Sequence, residues 1–275
     1  MKIKNKEIKN VALERLSASW GRAISSILIV VSFYIIFYLI ELSILELYKI
    51  QGAIPSTIFS NINSNPCYIL LTVIRLVLTL ISITPIYVGV KWWFFHSSRG
   101  EINPINSIFI GYSDLRIFFK MLALKTLVFI IKLAVSLPFI ICILGISVLL
   151  KRINAAGGSN TGAIVLLIFL AILTVCFIVL AVYFSLNYCL VDYIYMLNPD
   201  MKIINIITVS TFTMHNNKGK IIKLGLSFLP WLALVIFVFP VFFISAYYTM
   251  SFTVLVNNIM KENTTLNHRN LMKMS

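Results

Sequence analysis

Charge is scarce in this chain, and acid is scarcer than base. Of 275 residues 12% are Asp, Glu, Lys or Arg, with 9 acids against 23 Lys and Arg. A soluble domain carries about a quarter charged residues, so this chain has too little polar surface to cover itself in water. With 60% hydrophobic residues and a mean hydropathy of +0.96, its solvent is lipid.

Chemistry-bearing residues are sparse too. His96, His215 and His268 stand apart and make no H-E-x-x-H pair. Cys67, Cys142, Cys176 and Cys189 include no C-x-x-C pair, and Cys142 and Cys176 fall in apolar runs. They read as small hydrophobes, not as a disulfide frame or metal site. A G-x-S-x-G elbow is missing. So is a G-x-x-x-x-G-K-[ST] phosphate loop, because Gly219-Lys220 lacks the upstream glycine and the Ser/Thr. No two acids are placed for acid–base work. These absences point away from an enzyme, and no cofactor is expected.

What the chain does have is long apolar runs with basic residues between them. The net charge of +14 would suggest nucleic acid in a soluble protein. Here the basic residues lie in alternate loops beside apolar runs, which reads as cytoplasmic retention of those loops and attraction to anionic lipid headgroups, not as a nucleic-acid surface. The Ile, Asn and Lys bias matches an AT-rich bacterial genome, which places the protein in a bacterial plasma membrane.

The pattern predicts an all-α, polytopic bundle of six spans, with five as the alternative, and short interfacial amphipathic helices on the cytoplasmic side. Residues 1–22 form an amphipathic N-terminal segment, 23–258 one transmembrane domain, and 259–275 a polar tail. Within Asn5–Ala18, Ile8, Val11, Ala12 and Leu16 recur at helical spacing, as in a helix lying on the inner surface. The first run, from near Ile24, is too long for a signal-peptide core and lacks a small-x-small exit, so it is expected to remain as a span. Further spans are expected at about Tyr68–Phe95, within Met121–Leu150 with a bend at Pro138, and at about Ala163–Leu190. Between the second and third, Pro104 opens a segment whose Ile105, Ile108, Phe109, Tyr112, Leu115 and Phe119 share one face; it either lies at the interface or packs under the bundle. Gly158 and Gly162 have the spacing of a helix-dimer motif but stand in a polar turn.

The stretch Ile221–Val256 divides the readings. As one helix it would measure roughly 54 Å, longer than a bilayer with its headgroups. Pro230 and Pro240 break it into two short spans meeting near Pro240, at the cost of a turn without polar residues. Charge arbitrates. Lys2, Lys4, Lys6, Lys9, Arg15 and Arg22, then Arg99, Arg116 and Lys120, then Lys202, Lys218, Lys220 and Lys223 fall on one side. Only Lys49, Lys151 and Arg152 fall on the other. The tail, with Lys261, Arg269 and Lys273 against Glu262, fits the basic side, so both termini are placed inside.

An ionisable group at membrane depth asks for a reason, since each costs roughly 2.5–3.5 kcal/mol or more at mid-span. Glu41 and Arg75 have matching depths near the outer ends of the first two spans and are candidates for a structural ion pair. Lys132 is the candidate functional charge; it either faces a cavity or snorkels to the inner headgroups, and Lys125 lies one heptad before it. Asn187 and Asp192, with Tyr188 and Tyr193, are candidates for an inner polar mouth. Lys218, Lys220 and Lys223, on the segment Asn198–Trp231 that leaves the membrane and re-enters it, form a candidate lipid- or partner-binding cluster.

Several blocks together resemble a bacterial integral membrane family catalogued as domain of unknown function 975. In the N-terminal IKNVALERLSASWGRAI, Lys9, Ala12, Leu16, Trp20, Gly21 and Ala23 are in step with its opening. TPIYVG (Thr84–Gly89), Arg99-Gly100-Glu101 and Phe109 are similar to a second block. Asn198-Pro199, Ser210, Met214, Gly219-Lys220 and LSFLPW (Leu226–Trp231) are similar to a third, and Pro240 with SAYYTMSF to the last. The chain departs from the family at Pro230, where the family carries Gly, and in the short separation of its last two spans. The resemblance implies six spans and no activity. Two functions remain: a membrane interaction or accessory protein that docks a membrane-protein partner or anionic lipid through its inner segments, and a small-molecule or ion transporter or channel.

Overall fold

The computed structural model describes residues 4–47, 66–101, 103–155, 161–236 and 238–272. Every regular element among them is helical. They are α1 (Asn5–Ser17), α2 (Trp20–Leu47), α3 (Pro66–Ser98), a 3₁₀ segment (Ile105–Tyr112), α4 (Leu115–Ala155), α5 (Thr161–Ser185), a 3₁₀ turn (Leu186–Tyr188), α6 (Val191–Leu197), α7 (Ile203–His215), α8 (Lys218–Leu226), a second long 3₁₀ segment (Leu229–Ile236) and α9 (Val238–Met272). The fold is an all-α helical membrane bundle. Lys2, the outer loop around Lys49, Gly158 and Lys273 lie outside the described residues.

Five helices are long and apolar enough to cross a membrane: Trp20–Ile44, Val73–Ser98, Leu115–Ile153, Thr161–Leu197 and Pro240–Glu262. The run from Ile221 does not continue as one helix. α8 ends at Leu226, Pro230 falls at the second position of the 3₁₀ segment, and α9 begins at Val238 with Pro240 in its first turn. Proline is tolerated there because a first-turn N–H has no intrahelical acceptor to lose. Pro138, by contrast, sits inside α4, whose helix is assigned on both sides of it.

The helices group into two compact units, Met1–Leu122 with Lys220–Ser275, and Ala123–Gly219. In the first unit α9 is the central element: half of its span window is buried, against 11% for α2. α1 packs on α9 through Ile8, Ala12 and Leu16, all of them buried. The stripe expected to meet lipid is thus used in protein packing, while Val11 and Leu13 stay exposed. The Glu7 carboxylate accepts the Lys4 main-chain N–H (3.3 Å), which satisfies a donor at the helix start.

The segment after Pro104 is a 3₁₀ helix, not one continuous helix to Phe119, and it packs against α3. Ile108 and Gly111 are buried against α3, whereas Phe109 and Tyr112 are exposed. Two glycines permit this approach. A Cβ on Gly89 would stand 1.7 Å from the Ile108 carbonyl oxygen, and one on Gly111 would stand 2.8 Å from Pro85 Cβ. The Tyr112 hydroxyl donates to the Ser82 main-chain carbonyl.

In the second unit, α7 packs on the 3₁₀ turn 186–188 and on α6. Ile206, Ser210, Thr213 and Met214 of α7 are buried, whereas Ile204 and Phe212 are exposed. Few residues of α4 and α5 are buried by the chain itself, which leaves much of their surface to lipid or to other protein.

Candidate functional site

Some of the charged groups on the long helices are held in ion pairs. Arg75 Nη1 donates to Glu41 Oε2, and Glu41 is buried. These are the two residues matched by depth in the sequence. The geometry closes α2 onto α3 with a charge-assisted bond.

Asp192 is also buried, and it receives Lys125 Nζ at 2.6–2.7 Å. The side chains come from α4 and α6. Asn187 meets α7 through its backbone, its carbonyl accepting from Ser210 Oγ at 2.6 Å. Tyr193 is fully buried and Tyr188 is half-buried. Asp192 therefore closes an ion pair, and Asn187 anchors α7. The pairing with Lys125 was not legible, because nothing in the spacing of α4 and α6 sets their register.

Lys132 is exposed on α4 and lines an open groove of about 580 Å³, in the company of Phe129, Ser136, Phe139, Ile178, Ser185 and Cys189. Among the described residues no carboxylate pairs with it. At 1.5 Å per residue the whole of α4, 41 residues, is longer than any bilayer. Its uncharged stretch, 133–150, is roughly 27 Å long, close to the ~30 Å hydrocarbon core. A core spanning that stretch would put Lys132 at one edge and Lys151 at the other, where a four-carbon stem can reach headgroups.

The three lysines of the basic cluster have three different surroundings. Lys218 is buried with Nζ 3.8 Å from the centre of the Tyr183 ring, a cation–π contact. Lys220 Nζ lies 2.6 Å from Glu262 Oε2. Lys223 is exposed, and its main-chain carbonyl accepts from Asn5 Nδ2 at 3.1 Å. Among the described residues the Lys223 ammonium makes no ion pair or cation–π contact, unlike those of Lys218 and Lys220.

A second polar centre was not foreseen. Where α3 ends, Gly100 adopts φ 89°, and the Arg99-Gly100-Glu101 turn distributes its side chains. Arg99 Nε donates to Asn257 Oδ1 of α9 (3.3 Å) and its guanidinium covers the Phe95 ring. Asn257 in turn donates to Ser98 Oγ. Glu101 pairs with His96 Nδ1. Beside Gly100 opens a cleft of about 180 Å³, lined among others by Glu14, Arg15, Arg22, Trp93, Ser97, Glu101 and Asn103. The one sequence signal for it was the Arg-Gly-Glu block. Among the described residues no group of three or more His, Cys, Asp or Glu is placed to hold a metal ion.

Long apolar helices, internal ion pairs and short amphipathic elements define a multi-pass, all-α membrane protein. The family model described as protein of unknown function (DUF975) matches residues 1–263, and the chain belongs to that family. No curated protein and no solved structure matches it.

Proposed function

We propose that the protein is a non-enzymatic interaction or accessory protein of the bacterial plasma membrane, with both termini inside. In this reading α1, the segment after Pro104 and α7 face the cytoplasm, where they meet anionic headgroups and a membrane-protein partner. One observation carries the reading: Glu41 is paired with Arg75, and Lys125 with Asp192, so these charges are engaged within the chain. The nearly bare surfaces of α4 and α5 suit helix–helix association as well as lipid contact.

Transport is the second reading, favoured by the groove that brings Lys132 together with Ser136, Ser185 and Cys189. Gentle extraction from native membranes and intact-complex mass spectrometry separates the two. A protein partner at fixed stoichiometry, released when exposed Lys223 is changed to Glu, supports the accessory role. A lone bundle carrying a small molecule or ion, with vesicle flux abolished by Lys132→Ala at unchanged protein level, overturns it.

A further inference from the structure

We infer that the cleft beside Gly100 is a binding site for a phosphate group. Two guanidinium groups enter it from different elements, Arg15 near the end of α1 and Arg22 at the start of α2. Arg15 lies over Gly100 so closely that a Cβ there would stand 2.7 Å from Nη1. Arg22 makes only long contacts to main-chain carbonyls, Nη1 to Asn103 and Nη2 to Ala18, each at 3.4 Å. Among the described residues neither arginine has a carboxylate within ion-pair distance.

The independent observation is Asn103. Its main-chain carbonyl accepts from Trp93 Nε1 at 3.1 Å, and its side-chain Nδ2 is buried with no hydrogen-bond partner. A buried donor left without a partner is costly and asks for an acceptor. A tetrahedral oxyanion supplies several at once, and the guanidinium fork matches its geometry. At about 180 Å³ the cleft is below the size of drug-sized ligand pockets, so it suits a phosphate group and not a large organic ligand. Two carboxylates line it as well. Glu101 is engaged by His96; Glu14 is exposed and opposes an anion, which gives the proposal a sign to test. The phosphate belongs either to a lipid headgroup or to a soluble phosphate compound. The inference does not rest on the accessory reading and holds equally for a transporter.

Full-length protein in a neutral detergent is titrated with inorganic phosphate and glycerol 1-phosphate, and in lipid nanodiscs with phosphatidylglycerol against phosphatidylcholine. The readouts are saturable shifts in thermal unfolding and direct binding. Saturation in the nanodisc arm alone identifies a headgroup site; saturation with the soluble probes identifies a free phosphate compound. Arg15→Ala and Arg22→Ala each weaken binding about tenfold or more, Asn103→Ala weakens it a few-fold, and Glu14→Gln tightens it. Asn103→Ala also guards against a folding artefact, because removing an orphan donor leaves ligand-free unfolding no lower. Lys151→Ala, at an exposed residue that does not line the cleft, binds as the parent does. Saturation by neither probe, undiminished binding in the arginine variants, or an equal loss in Lys151→Ala would overturn the proposal.

Discussion

Lys9 in α1 donates through Nζ to the main-chain carbonyl of Ser227, 2.8 Å away and 218 positions along the chain. One turn earlier on the same helix, Asn5 Nδ2 donates to the carbonyl of Lys223. Lys9 thus serves a carbonyl just past the end of α8, and Asn5 adds a second donor to the Lys223 carbonyl, which also accepts the Ser227 main-chain N–H; both side chains cap the end of α8 from a distant element. The Lys9 ammonium also sits 4.2 Å from the centre of the Phe228 ring. Burial pushes its pKa below the usual lysine value of 10.5.

The sign of the resulting pH dependence is fixed. Between the lowered folded value and the ordinary unfolded one the unfolded chain binds more protons, so stability rises with pH across the window just below 10.5 and is flat beneath it. Lys9→Met removes that slope and, at neutral pH, destabilises by about 1 kcal/mol through loss of a charge-assisted bond to Ser227. Thermal unfolding in detergent from neutral pH to about 10.5, parent against variant, checks both.

Breaking the Glu41–Arg75 pair from one side is expected to cost more than removing it. Glu41→Ala leaves Arg75, a little under a third of whose side chain is exposed, facing an apolar neighbour, at about 1–3 kcal/mol after allowing for that exposure. The double change to Ala at both positions recovers part of the loss. A double-mutant cycle read by thermal unfolding measures the coupling; additive single effects would refute the pair as a unit.

Lys125 and Lys132 lie on the same helix and make opposite predictions. Lys125→Ala removes the ion pair of the buried Asp192 and lowers stability by about 2–4 kcal/mol. Lys132→Ala, with no carboxylate partner among the described residues, changes it by no more than about 0.5 kcal/mol. Side-by-side melts of the two variants test the contrast.

Gly89→Ala drives a methyl group into the Ile108 carbonyl and is expected to destabilise by at least about 3 kcal/mol, loosening the 3₁₀ segment from α3. Gly21 has nothing within 4 Å of a built Cβ, so Gly21→Ala is neutral or stabilising by up to about 1 kcal/mol. Limited proteolysis near Ile108 together with melting temperature reports on both.

The all-α membrane bundle was legible because long apolar runs have one physical meaning in a chain with so little charge. The prolines at 230 and 240 marked the break before α9 for an equally local reason. Glu41 and Arg75 could be matched because depth along two neighbouring spans is countable. Pairings that join elements across an unknown register were not legible. Lys220 meets Glu262 and Lys125 meets Asp192 across 42 and 67 positions, and only the packed bundle sets which lysine arrives. For the same reason α1 read as a surface helix: an apolar stripe looks alike whether lipid or α9 covers it. The cleft was hidden because Arg15, Arg22, Trp93 and Asn103 come from separate elements, each ordinary by itself.

The cap that α1 places on α8 also orders events during synthesis. Asn5 and Lys9 leave the ribosome more than two hundred residues before the carbonyls they serve, and Ile8, Ala12 and Leu16 wait longer still for α9. At about 5–20 residues per second that interval is on the order of tens of seconds. Through it the helix lacks the α9 surface that buries its apolar stripe, and the bilayer surface is its natural holding place. The first helix made is among the last to dock, and its arrival latches the finished bundle.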